Sequence, residues 1–303
     1  MTAMASKNAV FCKQQPTITG GKPNPIRMIA RFSILVLLLA VVPPLDGHGQ
    51  HSRARNPVPQ EDTAVHPIAS SEQERADFNA AYAQTGALAL EMAANQFAQQ
   101  YPESNLREYL YAKAMRAYEL ENNPAGVLAA AQKLLAIKPD HAVALALKAT
   151  ILADQLENTD RDRAQKIEEI RKTANQAVES VGKGFAPAPA LSEQDAAVYR
   201  TTLQSMAYSA LGIMELKTGD DAKAEKDLNT AAVLTKITPD AYIWYHLALA
   251  QDHRKKYAAA LNSVQQALQL ASSNPELQRL AEIEFDRLSG LAGRTPRGAD
   301  QPQ

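Results

Sequence analysis

The chain has 303 residues, a formal net charge of -1 and a sequence pI near 6.6, which gives no indication of the strongly basic surface that nucleic-acid phosphates call for, and no nucleic-acid partner is expected. Aromatic residues make up only 6% of it, so its apolar share rests on Ala and Leu, the composition of helices packed closely through small side chains. No alternating apolar and polar run bounded by turn residues marks a strand, and the expected class is all-α.

The first feature along the chain is an apolar run, Phe32 to Val42, preceded by Arg27 and Arg31 and closed by Pro43-Pro44. Crossing a bilayer takes roughly 20 apolar residues, so this shorter run suits the core of an export signal better than a membrane helix. Residues 1–49 are then a leader cut near Gly49, with Met28 as an alternative start, and residues 50–70 a flexible spacer rich in Pro, His and mixed charge. A chain so processed would meet the membrane only in transit and would work in the periplasm or outside the cell. Cys12, the only cysteine, lies inside the leader, so no disulfide, thiol nucleophile or thiolate metal ligand is expected in the mature chain. No cysteine follows the run to carry a lipid.

Helical signals start at Ser71-x-x-Glu74, a capping-box pattern ahead of Phe78 and Tyr82, and Gly86 interrupts them. A second helix, about Ala87 to Gln100, places Leu88, Met92 and Phe97 near one face. Asn105-x-x-Glu108 is expected to cap a third, with Tyr111, Met115 and Tyr118 at helical spacing, and Asn123-Pro124 to start its partner with Val127, Ala131 and Leu134. Leu145, Ala149 and Leu152 then mark a helix from Ala142 to Asp154. Asp160 to Val181 is a long charged helix with Ala164, Ile167, Ile170, Ala174, Ala177 and Val181 as one apolar stripe. A Gly- and Pro-rich loop containing Phe185 follows, and Ser192-x-x-Asp195 caps a helix reaching Lys217. Asn274-Pro275 opens a last helix whose polar outer face would end a stack, and residues 292–303 read as a disordered tail.

Between Ser205 and Ala271 one pattern is written twice. Tyr208, Leu211, Gly212, Ala224, Leu228 and Ala231 recur 36 residues later as Trp244, Leu247, Ala248, Ala260, Val264 and Ala267, and Tyr111 answers Tyr208 at an offset of 97. Polar breaks, Gly219-Asp220-Asp221 and Lys255-Lys256, divide each copy into two helices. Gly212 and Ala248 fall where those helices cross, and Ala224 and Ala260 offer the matching small surface. The order aromatic, Leu, small, turn, Ala, larger apolar, Ala, with Pro239 and Pro275 closing the units, resembles the tetratricopeptide repeat.

The resemblance implies a right-handed superhelical solenoid of antiparallel helix pairs over residues 71–291, with an insertion near 160–190. It also implies that the first helices line a concave groove holding a peptide or partner protein, with Tyr109, Ala112, Arg116, Thr150, Met206, Ser209, Ile213, Tyr242, Tyr245 and Leu249 facing it. Chaperone-binding members clamp a peptide carboxylate with Lys and Asn; the corresponding places here hold Ala112, Arg116, Ala146 and Thr150. A non-enzymatic, monomeric protein-interaction scaffold is the expected function. The alternatives are a ligand-binding or enzyme-accessory protein whose insertion builds a pocket over the groove, and a structural protein that self-associates through its ends.

The residues themselves carry little chemistry. Gly182-Lys183-Gly184 lacks the spacing, preceding strand and following Ser or Thr of a phosphate loop. His246 and His253 stand two turns apart on one helix face, about 10.5 Å, too far to share one metal ion without other ligands. Carboxylate pairs such as Glu168-Glu169 and Asp220-Asp221 read as solvated. No Ser-His-Asp or paired-carboxylate arrangement falls on matching elements, so neither catalytic residue, metal nor cofactor is expected.

Overall fold

The computed structural model describes residues 68–183 and 192–292. The leader, most of the spacer, the loop with Phe185 and the tail lie outside the described residues. Within them the protein is all-α: α1 (Glu72–Tyr82), α2 (Ala87–Gln100), α3 (Leu106–Leu120), α4 (Pro124–Ile137), α5 (Ala142–Gln155), α6 (Arg163–Gly182), α7 (Glu193–Thr218), α8 (Asp221–Leu234), α9 (Ala241–His253), α10 (Tyr257–Leu270) and α11 (Pro275–Ala292). Each helix packs on the next in the chain, and every odd-numbered helix except α3 also packs on the odd-numbered helix that follows it. No described helix is long and apolar enough to cross a membrane.

Most helix starts are set by the side chains that the sequence marks. Ser71, Asn123, Ser192 and Asn274 accept hydrogen bonds from the N–H groups of Glu74, Gly126, Asp195 and Leu277, supplying partners that the first turn lacks. One cap extends the expected pattern and one changes. The Glu74 carboxylate reaches back to the N–H of Ser70, at 2.5 Å, as well as to that of Ser71. Asn105 makes no side-chain cap; the Oγ of Ser104 accepts from the Leu106 N–H at 3.1 Å instead, while Glu108 is drawn away to Lys138.

The inward face of α2 is Ala87, Leu90, Ala94 and Phe97, whereas Leu88 and Met92 are exposed. The buried line alternates small and large side chains, Ala87 and Ala94 letting α2 close on its neighbours and Leu90 and Phe97 filling the space between. α6 begins later than expected, leaving Ala164 exposed while Ile170, Ala174, Ala177 and Val181 are buried.

Three turns share one construction. The N–H of Asn123 donates to the Tyr118 carbonyl, that of Asp220 to Glu215 and that of Lys256 to Gln251, each at 2.9 Å. The preceding residue is left-handed in every case: Asn122 (φ 53°), Gly219 (φ 83°) and Lys255 (φ 61°). This is the Schellman closure, which returns hydrogen bonds to the last carbonyls of the helix. The three turns fall at the offsets of 97 and 36 that the side-chain pattern gives.

Packing between paired helices follows the same register. A Cβ on Gly212 would lie 2.6 Å from Leu228 Cγ and 3.2 Å from the Ala224 carbonyl oxygen, so α7 and α8 touch backbone to side chain there. Ala224, Leu228, Ala231, Ala248, Ala260, Val264 and Ala267 are fully buried. α5 is buried on nearly every side, from Ala142 to Leu147 and from Ala149 to Ile151, as expected of a helix apolar all round.

Candidate functional site

The residues assigned to the groove occupy three matching positions on α3, α5, α7 and α9. The first holds Tyr109, Val143, Met206 and Tyr242; the second Ala112, Ala146, Ser209 and Tyr245; the third Arg116, Thr150, Ile213 and Leu249. The outer helices α3 and α9 leave all of these half-buried, but α5 and α7 bury all of theirs except Met206. Thr150 and Ile213 have no exposed surface and serve packing in this state. The line of candidates is therefore open at its ends and closed in the middle.

Polar contacts bind several candidates to the fold. Arg116 pairs with Glu119 one turn along α3, and the Glu119 side chain is 1% exposed. Burial pushes the Glu119 carboxyl up against the pull of Arg116. Tyr199, on the stretch of α7 ahead of the repeat, is buried too; burial and then the Glu119 charge raise its phenol. The Arg116 Nη2, Glu119 Oε1 and Thr150 Oγ1 atoms are buried without hydrogen-bond partners.

At the other end, the Tyr242 hydroxyl donates to Asp154 Oδ1 at 2.9 Å, joining α9 to the end of α5. Lys217 donates from α7 to the Ala153 and Asp154 carbonyls, at 2.9 and 2.6 Å. Tyr245 packs against the clusters that hold Leu277 and Leu288 of α11 and has its phenol raised by burial and then by Glu284. Tyr242 and Tyr245 nevertheless share neighbours: both flank the His246 ring, at 4.2 and 5.5 Å between ring centres, and both pack against the Ala241, Ala271 and Leu277 cluster.

No protein-family model matches the chain, and none of the curated proteins matches it. His246 is buried, its Nδ1 lies 2.8 Å from the Tyr242 carbonyl oxygen and its ring centre lies 4.2 Å from that of Tyr242. His253 lies against Asp221 Oδ1 at 2.9 Å. The two histidines serve different contacts, and among the described residues no group of three or more His, Cys, Asp or Glu side chains is placed to hold a metal ion.

Burial of carboxylates was not legible in the composition: Glu74, Glu119, Glu215 and Glu284 are all buried. For Glu119 a signal existed, since Arg116 stands three residues before it, the spacing of a helical ion pair. Asp154 and Tyr199 gave none, because their neighbours come from helices distant in the chain.

Proposed function

We propose that the chain is a tetratricopeptide-like solenoid, exported to the envelope, that acts as a non-enzymatic scaffold for a peptide or partner protein. The observation that carries this reading is the Schellman turn repeated at the offsets of the side-chain pattern. Equal turns joining equally crossed helices generate a regular stack, and a stack offers a long pre-organised surface. The packing order supports it further, since the extensive helix contacts join helices that are next, or next but one, in the chain. Export rests on the Phe32 to Val42 run with its Arg and Pro flanks.

The binding surface on this reading lies at the open ends of the candidate line, Tyr109 on α3 and Leu249 on α9. Tyr242 and Tyr245 are held by contacts within the fold, so their substitution would test packing and not recognition. The deciding experiment expresses the full chain in a bacterium, recovers it from the envelope fraction after mild crosslinking and measures its intact mass. A chain starting near Gln50 carries a reproducible protein partner, and that partner is lost from a Tyr109→Ala, Leu249→Ala double variant that keeps wild-type helicity and melting temperature. An uncut cytoplasmic chain, or a partner retained in full by the double variant, overturns the reading.

A second reading, in which the insertion covers the surface and forms a ligand pocket, is favoured by one observation. The extended start of α7 buries Tyr199 within the electrostatic reach of Glu119 and Arg116 of α3. Under it, hydrogen exchange over α6 and the first half of α7 slows when ligand is added, and unchanged exchange with every extract tried rejects it.

A further inference from the structure

The same two positions, one near the end of the first helix and one in the second, meet inside successive hairpins. In α9 and α10 they are Gln251 and Ser263, both buried, and the Ser263 Oγ donates to Gln251 Oε1 at 2.7 Å. Thirty-six residues earlier the same positions hold Glu215 on α7 and Asp227 on α8. In α3 and α4 they are Tyr118, whose ring lies over Gly126, and Ala130. One place in the frame is therefore filled in three ways, and in only one of them do both groups ionise.

Glu215 is 9% exposed, and its Oε2 is buried with no hydrogen-bond partner. The half-buried Asp227 carboxylate stands on α8 where Ser263 stands against Gln251 in the next hairpin, within hydrogen-bonding reach of Glu215. Two carboxylates placed this close cannot both ionise cheaply away from water, and one retained proton turns their repulsion into a hydrogen bond. The other charges acting on Glu215 are Asp220 and Lys223 at the start of α8 and Arg171 of α6. Lys223 is engaged by Asp220, and Arg171 by Glu168. On the α9 side His253 and Arg254 are taken by Asp221 and Glu225, and on α5 Lys148 is taken by Glu169. None of these cations is free; the remaining one acting on the pair is Lys226, exposed beside Asp227 on α8, where burial pushes the Asp227 carboxyl up and the Lys226 charge pulls it back down.

We propose that Glu215 and Asp227 form a proton-sharing pair that latches the α7–α8 hairpin when protonated and loosens it when both ionise. The pair is the pH-sensitive joint of the stack, and its neutral counterpart in the next hairpin is the Gln251–Ser263 bond. Burial first, and the Asp227 and Asp220 charges after it, push the Glu215 carboxyl up from 4.5 to about 7. A carboxyl raised on folding binds its proton more tightly in the folded chain than in the unfolded one. Its contribution to stability is then full below about 4.5 and is lost as pH rises through about 7.

The test compares wild type with a Glu215→Gln, Asp227→Ser double variant, which installs the pair already present in the next hairpin. Melting temperatures are followed by circular dichroism from pH 5 to pH 8. Wild type loses roughly 5 °C more than the variant over that range, the histidines being common to both. Carbon-detected NMR of the wild-type side chain gives a Glu215 midpoint near 7 and decides the matter even where the double variant does not fold. Parallel melting profiles, or a Glu215 midpoint at its ordinary 4.5, overturn the proposal. Neither measurement depends on a binding partner, so the scaffold reading and the latch fail separately.

Discussion

The α7–α8 and α9–α10 hairpins are built on one frame and differ in what fills it. Both close through the same turn, and both bring a small residue on the first helix against a branched one on the second. In the earlier hairpin the pair is Gly212 and Leu228; in the later it is Ala248 and Val264. One methylene has in effect moved across the helix crossing, from Leu to Ala. The nearby polar pair differs as well, carboxyl against carboxylate in one and amide against hydroxyl in the other. The comparison shows which constraint is geometric, the summed volume at the crossing and the turn, and which is chemical and free to vary.

The largest effect comes from breaking that volume balance. Gly212→Val adds a branched side chain where even a Cβ meets Leu228 Cγ at 2.6 Å, and the α7–α8 hairpin should lose about 3 kcal/mol or more. Gly212→Ala alone should lose about 1–3 kcal/mol, and Leu228→Val alone about 1 kcal/mol through the cavity it leaves. Gly212→Ala with Leu228→Val recreates the Ala248–Val264 pair and should recover most of the loss, with a coupling of at least about 1 kcal/mol in a double-mutant cycle. Urea titration of the four proteins measures it. Strict additivity would mean that the two hairpins are not interchangeable at the crossing.

The parts of the structure that were legible in the sequence are those whose contacts are short in sequence. Gly219, Asn123-Pro124 and Ser192 act on residues within a turn of themselves, and the crossing at Gly212 joins neighbouring helices. The exposure of the candidate line was not legible because it depends on contacts between helices far apart in the chain. Tyr242 meets Asp154, 88 residues earlier, and Thr150 and Ile213 are closed from view. Leu88 and Met92 mislead for a different reason: α2 is apolar over much of its surface, and the face that packs is the one through Ala87, Leu90, Ala94 and Phe97. The buried Glu215 had a readable trace, since Gln251 repeats a long polar side chain at the same place.

A smaller effect separates the starts of the second helices. α8 is capped by Asp220, whose Oδ1 accepts from the Lys223 N–H at 3.4 Å, while α10 starts at Lys256 with no side-chain cap. Asp220→Ala should therefore lower stability by about 1 kcal/mol. Lys256→Ala removes only a part-exposed ion pair to Glu225 and should fall within about 0.5 kcal/mol of wild type. Equal losses in urea would show that the cap of α8 contributes no more than the ion pair.

The smallest effect lies in the turns themselves. Gly219 and Lys255 hold the same left-handed place, at φ 83° and 61°, yet only glycine enters that region without a clash at Cβ. Lys255→Gly should raise stability by about 0.5 kcal/mol, the relief of the clash being partly offset by the greater freedom of glycine in the unfolded chain. Gly219→Lys should lower it by about 1 kcal/mol. Lys255 is exposed, so neither change alters a buried contact, and melting curves at one pH suffice to read both. Opposite signs for the reciprocal pair mean that the two turns are one structural element occupied by residues of unequal fitness. Two changes of the same sign mean that the α9–α10 turn relies on Lys255 for something that its backbone angle does not express.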